Sequence, residues 1–375
     1  MTYLLWTDGR TLSEIRQDLT PPAQAILDSW QLHSFLDLPD RRVPLLLSAS
    51  HRIIESASAY LYYVAVVSGK SESPKTASTY AEGLKCWFDY LHQCDLSWDE
   101  IDEEVVAQFR NMLKKRKSVR SRNTLIARVG VVYRFYRWLV KTGRLDVMPF
   151  PDDGSLLPRR YESFPHPLNR EQLSAVITKC RAPYGLMVKW MVATGLRRFE
   201  VCALTPLHIA RNTELDSRFD HLVYLRLIRK GGKRHRLMVP LGLIDETNWY
   251  LSTDRLVSLK RARKEERATN SSKHLFLNQF GRPVSPYQLG RVFRRVVKSL
   301  GIDATSHDLR HTFAVCMLDL LERLASEGVP INPFKTLQTL LNHSSVHSTE
   351  IYVRARDVYS KEVKGALTYL YGEMP

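Results

Sequence analysis

The sequence predicts a mainly α fold with a small antiparallel β-sheet, an α+β class, spread over two domains. Three observations predict it. Apolar residues recur at three- and four-residue spacing through stretches of helical length, as in Tyr80, Leu84, Trp87, Phe88 and Leu91. Val223, Leu225 and Leu227 alternate with Tyr224, Arg226 and Ile228, then Gly231-Gly232 turns and Arg236 to Pro240 returns, the pattern of a β-hairpin. Between Asp146 and Pro167 periodicity is lost and Pro149, Pro151, Asp152-Asp153-Gly154, Pro158, Pro165 and Pro167 gather, the composition of an interdomain linker.

Residues 1–70 alternate short apolar stretches with Pro21-Pro22, Pro39 and Pro44 and carry no assignable chemistry. They end in the aromatic segment Ala57 to Val67, which is expected to pack on the following domain rather than on a second protomer. Ser71-Glu72-Ser73-Pro74 is a turn-and-cap signal that opens the first long helix. A second helix is expected to start near Trp98 and Asp99 and to turn Val105, Val106, Phe109 and Met112 inward. It closes on Lys114-Lys115-Arg116-Lys117, with Arg120 and Arg122 just beyond. Cations at a helix C-terminus suit the macrodipole, but so many in succession exceed what capping needs, and a phosphate-contacting loop is favoured. A third helix, 123–142, places Leu125, Val129, Val132, Phe135 or Tyr136, and Leu139 inward and stops at Gly143. The expected division is therefore 1–70, an extension of unknown role; 71–147, a helical domain; 148–166, a linker; and 167–375, the second domain with a C-terminal tail.

In that second domain Asn169 and Gln172 form a capping-box signature. Leu186 to Val192 is a mostly apolar helix that delivers Gly195-Leu196-Arg197, and a glycine there permits the close turn that aims the arginine. Lys230 falls at the hairpin tip. Ser285-Pro286 opens a helix that ends at Gly301. Its outer face holds Arg291, Arg294, Arg295 and Lys298, either a solvated face or one that binds a phosphate backbone.

At 375 residues the chain can build two or three proper cores. Its formal net charge of +16 favours a polyanionic partner, because a basic surface steers toward phosphate and releases counterions on binding. Met1 to Arg10 is mixed and carries Asp8 and Arg10 where a secretory signal needs apolar residues, and no apolar run reaches the length of a membrane span. A cytoplasmic protein is expected, nucleoid-associated in a bacterium. The 5 cysteines are scattered without C-x-x-C spacing and read as thiols in a reducing compartment.

Chemistry concentrates near the C-terminus. In Ser306-His307-Asp308-Leu309-Arg310-His311-Thr312-Phe313-Ala314, His307 and Arg310 share one helical face and can reach one anion together. Leu341-Asn342-His343-Ser344-Ser345-Val346-His347-Ser348-Thr349-Glu350-Ile351-Tyr352-Val353 places a histidine before a tyrosine. Phe313, Met317, Leu320 and Leu321, with Leu337, Leu340 and Leu341, would anchor both segments to a packed core. The pattern resembles the C-terminal boxes of the tyrosine recombinase and phage integrase family, H-x-L-R-H-T and L-G-H-x-S…T…Y, with Asn342 where the family usually has glycine. Ala193-Thr194-Gly195-Leu196-Arg197-Arg198-Phe199-Glu200-Val201 is similar to the family's T-G-L-R-x-x-E box, with Arg198 in place of a small or apolar residue. Arg229-Lys230-Gly231-Gly232-Lys233-Arg234-His235-Arg236 is similar to its lysine-bearing β-turn. The boxes cover roughly residues 165–360, and 73–147 resembles the family's core-binding domain in helical pattern.

The resemblance implies a helical core-binding domain plus an integrase-like catalytic domain that clamp double-stranded DNA and cut and rejoin strands through a 3′-phosphotyrosyl intermediate. No ATP, metal or other cofactor is implied. A phosphodiester repels nucleophiles and gathers charge in the transition state, so fixed cations must surround it. Arg197 and Arg310 suit that task, since a guanidinium stays charged and offers paired donors. Tyr352 is the expected nucleophile, with an unperturbed pKa of about 10 that calls for proton removal or cationic neighbours. His307 is a base or phosphate ligand, His343 a second phosphate donor, Lys230 the general acid for the leaving oxygen, and Glu200 an orienting group. Arg198 and Lys233 join the DNA-contacting cations. His343 and His347 are four apart, but Ser344 stands where a helical H-E-x-x-H zinc site carries glutamate, so no metal site is expected. Family members act as tetramers on paired sites, with a C-terminal segment docking on a neighbour; Val353 to Tyr371 would play that part, and accessory proteins are further partners. A type IB topoisomerase-like or hairpin-resolving enzyme, a non-catalytic DNA-binding accessory protein of the same fold, and a metal-dependent transposase stay open as other readings.

Overall fold

The computed structural model describes the chain except residues 8–19, 22, 23, 25–41, 69–73, 117–120, 160–164, 211–221, 229–233, 265–272, 344 and 360–375. It divides into two compact units, Met1–Glu162 and Ser163–Pro375. Among the described residues, no helix is long and apolar enough to cross a membrane.

The first unit opens with β1 (Tyr3–Trp6), which pairs antiparallel with β2 (Pro44–Leu47). Helix α1 (Glu55–Tyr62) runs on through a π-helical turn, Tyr63–Val67, and is followed by α2 (Pro74–Gln93), α3 (Glu103–Lys115) and α4 (Arg122–Lys141). Their apolar stripes meet in one core that includes Leu84, Trp87, Phe109 and Val132, each at 0% exposure. The aromatic segment before residue 70 is part of it: the Tyr60 ring lies 5.5 Å from Phe135 and 5.4 Å from Trp138. Residues on both sides of position 71 therefore share this core. Helix α3 starts later than the acids near Trp98 suggest. Asp102 is extended and its carboxylate accepts from the Val105 N–H at 2.9 Å, a true N-cap, whereas Asp99 accepts from the Ser97 hydroxyl instead. Both Phe135 and Tyr136 are buried, because α4 is covered on more than one side, and the Tyr136 hydroxyl donates to the Trp98 carbonyl at 2.6 Å.

The second unit gathers helices around one hairpin. Helix α5 (Arg170–Lys179) starts with the expected capping box, since Asn169 and Gln172 side chains each accept from the other's backbone N–H. Then come α6 (Tyr184–Thr194), the short α7 (Arg198–Cys202) and α8 (Pro206–Ala210), and the antiparallel strands β3 (Leu222–Ile228) and β4 (Arg234–Pro240), with Leu225 opposite Leu237. Val223, Leu225, Leu227, Leu237 and Val239 face the core, as their alternation requires. Helices α9 (Leu241–Ser252) and α10 (Asp254–Lys264) follow. Helix α11 (Pro286–Ser299) is capped by Ser285, whose hydroxyl accepts from Gln288 N–H at 3.1 Å. Helices α12 (Asp308–Ser326), α13 (Pro333–Leu341) and α14 (His347–Tyr359) complete the unit. These last three enclose a satellite core of Phe313, Ala314, Leu318, Leu321, Leu337, Leu341 and Tyr352. Each large side chain buried there contributes about 1.5–3 kcal/mol. That small core fixes the histidines and the tyrosine relative to Arg310.

Candidate active site

Gly195 begins the construction. It ends α6 in the left-handed region at φ 64°, and a Cβ there would lie 2.5 Å from the Phe313 ring. Only glycine lets the α6 terminus approach α12 this closely. The approach aims the Gly195 carbonyl at Arg310, whose guanidinium donates to it. The other terminal nitrogen of Arg310 donates to the Leu341 carbonyl at 2.7 Å and lies 2.9 Å from His343 Nε2. Arg310 is 1% exposed, so these partners hold a buried cation in place.

A guanidinium has no acceptor, so His343 Nε2 is the accepting nitrogen, and the ring hydrogen sits on Nδ1, 2.9 Å from Thr349 Oγ1. The sequence suggests His343 as a donor to phosphate; here its Nε2 accepts from Arg310, and donating from that atom requires a second proton on the ring. Asn342, the residue that departs from the family box, caps α13 at φ 52°, ψ 51°. Asparagine tolerates that left-handed geometry better than other side-chain-bearing residues, so the chain turns into His343 as a glycine would allow.

Tyr352 projects from α14 into this cluster and is 2% exposed. Its ring stacks on His343, and its hydroxyl lies 3.1 Å from His311 Nδ1. Burial pushes the phenol above its ordinary pKa, while the charges of Arg310 and Arg197 and a hydrogen bond from Arg310 pull against that. His307 precedes α12 as its N-cap residue and packs edge-on against His311 at 4.5 Å. Burial, and then the Arg310 charge, hold His307 below the usual histidine range, so it is neutral near pH 7.

Arg197 is the N-cap residue of α7, and Glu200 sits in the first turn. The Glu200 carboxylate accepts from the Arg197 backbone N–H at 2.7 Å, with its second oxygen 3.7 Å from the guanidinium. Glu200 is 7% exposed and orients Arg197 through both contacts.

Of the other expected contact residues, Lys114, Lys115 and Arg122 are exposed and Arg116 is half-buried. Arg291, Arg294 and Arg295 line the exposed side of α11. Arg198 lies across Gly290 of the same helix, where a Cβ would come within 2.0 Å of its guanidinium. Lys117, Arg120, Lys230 and Lys233 lie outside the described residues. Among those described, no group of three His, Cys, Asp or Glu side chains is placed to hold a metal ion. His311 is the contact that residue spacing passed over, although it stands inside the H-x-L-R-H-T box.

A family profile described as "Phage integrase family" matches residues 166–358, more than half of the chain. The chain belongs to the phage integrase family. A second profile, "Phage integrase, N-terminal SAM-like domain", matches residues 59–143, beginning within α1. Tyrosine recombinase XerD of Halalkalibacterium halodurans is 24% identical to this integrase-family chain over 320 residues, covering 80% of it and 95% of XerD. In fold, the chain is similar to the XerH site-specific recombinase bound to a palindromic difH substrate in a post-cleavage complex, with a TM-score of 0.59 at 18% identity over 87% of this chain and 92% of that one. It is also similar to a lambda integrase tetramer bound to a Holliday junction, with a TM-score of 0.53 at 16% identity over 80% and 76% of the two chains. As a tyrosine recombinase of the integrase family, the protein is a DNA breaking-and-rejoining enzyme.

Proposed function

We propose that this protein is a site-specific DNA recombinase whose nucleophile is Tyr352 and whose phosphate seat is built on Arg310. The observation that carries the reading is the Arg310 guanidinium. It ties together the end of α6, the end of α13 and His343, three segments distant in sequence, beside the Tyr352 hydroxyl. Arg197 and Arg310 neutralise the non-bridging oxygens. The Tyr352 oxygen attacks phosphorus and gives up its phenolic proton to His307 as base, the P–O bond to the 5′ oxygen breaks, and a 3′-phosphotyrosyl ester keeps the bond energy for rejoining. Lys230 protonates the departing 5′ oxygen, and His307 and His343 complete the ring of groups around the phosphate. The reverse attack by a 5′ hydroxyl from a partner duplex exchanges strands.

Exchange between two duplexes calls for four active sites, and a lambda integrase tetramer bound to a Holliday junction is among the similar folds. A homotetramer on paired DNA sites is the matching assembly here, with residues 353–371 docking on a neighbour and accessory proteins setting direction. The work is placed in the cytoplasm, with the DNA. Lys114, Lys115, Arg116, Lys117, Arg120 and Arg122 of the first unit, and Arg198, Lys233, Arg291, Arg294 and Arg295 of the second, supply phosphate contacts. Replacing both Arg291 and Arg294 by alanine is expected to lower the slope of log K against log salt by about 2, as the loss of two phosphate contacts requires. An unchanged slope in a filter-binding titration would remove α11 from the interface.

The test of function is a plasmid carrying two copies of a DNA site from the ends of the element encoding the protein, incubated in chelator. Recombinant circles are expected. Relaxation of a plasmid without any site, in place of exchange, would instead support a type IB topoisomerase-like activity.

A further inference from the structure

The Tyr352 hydroxyl has a neighbour to which the chemistry above gives no task. His311 follows Arg310 on α12, and its Nδ1 lies 3.1 Å from the phenol oxygen, with the two ring centroids 5.5 Å apart. Arg310 also bonds that oxygen, and as a donor-only group it occupies a lone pair. With the His311 ring hydrogen on Nε2, Nδ1 is the acceptor to which the single phenolic hydrogen points. The charged and titratable groups facing His311 are His307, Asp308 and Arg310 from α12 and its cap, His166 from the segment before α5, and Tyr352 from α14. Burial first and His307 next push its pKa down to about 4, and only Asp308 opposes.

We propose that His311 is a positioning residue for the nucleophile, its Nδ1 accepting the Tyr352 hydroxyl hydrogen so that the remaining lone pair of the oxygen has one fixed direction toward the phosphate. The inference rests on Tyr352 being the nucleophile. With the ring atom, one lone pair and the hydrogen assigned to carbon, Arg310 and His311, the phenol cannot rotate among equivalent orientations. An imidazole this weakly basic holds the hydrogen without removing it, so His311 acts through Tyr352 and not on the phosphate. Two side chains 41 residues apart in sequence thus set the attack angle.

The test is single-turnover formation of the covalent adduct on a nicked suicide duplex, using the full chain. His311→Leu keeps bulk and removes the acceptor; about a 10- to 100-fold slower adduct is expected, with DNA affinity unchanged. His311→Asn returns an acceptor near the Nδ1 position. It is expected within about threefold of wild type with the wild-type pH dependence, as restored geometry requires. A leucine variant at the wild-type rate would show the contact to be idle. An asparagine variant as slow as leucine would show that imidazole basicity is needed, and would overturn positioning in favour of proton transfer. Wild type that binds the duplex and yields no adduct would overturn the nucleophile assignment itself, and this inference with it. A measurement without DNA covers variants that fold poorly: the 15N resonance of His311 Nδ1 is expected to move toward the free-acceptor value in Tyr352→Phe, and an unmoved resonance contradicts the bond.

Discussion

Arg310→Lys is expected to lose DNA cleavage by at least about 100-fold, the scale seen when one preorganised donor to a developing charge is removed. Charge conservation does not rescue it. The guanidinium serves the Gly195 carbonyl with one nitrogen and the Leu341 carbonyl and His343 Nε2 with another. An ammonium is a point charge on a flexible stem and cannot span partners held that far apart while still facing a phosphate. One or both carbonyls would be left buried without a donor, at about 1–3 kcal/mol each. The domain should therefore also melt earlier in urea. A lysine variant that cleaves at the wild-type rate would mean that Arg310 is a structural tie and that the phosphate lies elsewhere.

Gly195→Ala is the second large effect. The added methyl meets the Phe313 ring at 2.5 Å, and the backbone is at φ 64°. Left-handed geometry costs about 1–2 kcal/mol for an L-residue, and overpacking adds about 1–3 kcal/mol. A matched control exists in Gly143, at φ 66°, where a Cβ meets nothing within 4 Å. Gly143→Ala should show the backbone cost alone. Gly195→Ala should lose more stability in chemical denaturation and should also slow cleavage, because its carbonyl anchors Arg310. Equal losses at the two positions would contradict the close packing of α6 on α12.

Much of this fold is legible in the sequence because the signals are local. The Asn169–Gln172 box, the Ser285-Pro286 start and the β3–β4 alternation each depend on residues a few positions apart, and each element appears where those signals lie. The β1–β2 pair is not legible. Each strand has four residues, β2 is buried along its whole length and so shows no alternation, and the pairing joins Tyr3 to Leu47. The start of α3 is set not by the nearness of acids but by which carboxylate is free to cap: Asp102 accepts from the Val105 N–H, while Asp99 accepts from Ser97. At the candidate site, the residue types of Arg197, His307, Arg310, His343 and Tyr352 stand out as a pattern, but their contacts do not. Helical spacing places His307 and Arg310 together; it does not say that His311 turns toward Tyr352, or that His343 Nε2 accepts from Arg310. Those depend on the packing of α12 against α13 and α14, which is a property of the satellite core.

The most direct test of the central claim is covalent capture on a nicked suicide substrate carrying the protein's own DNA site, in chelator, comparing wild type with Tyr352→Phe. A protein–DNA adduct formed by wild type alone, with the DNA mapped by peptide sequencing to Tyr352 through a 3′ phosphate, is the predicted result. An adduct of equal yield from Tyr352→Phe, or one mapped to another residue, would contradict it.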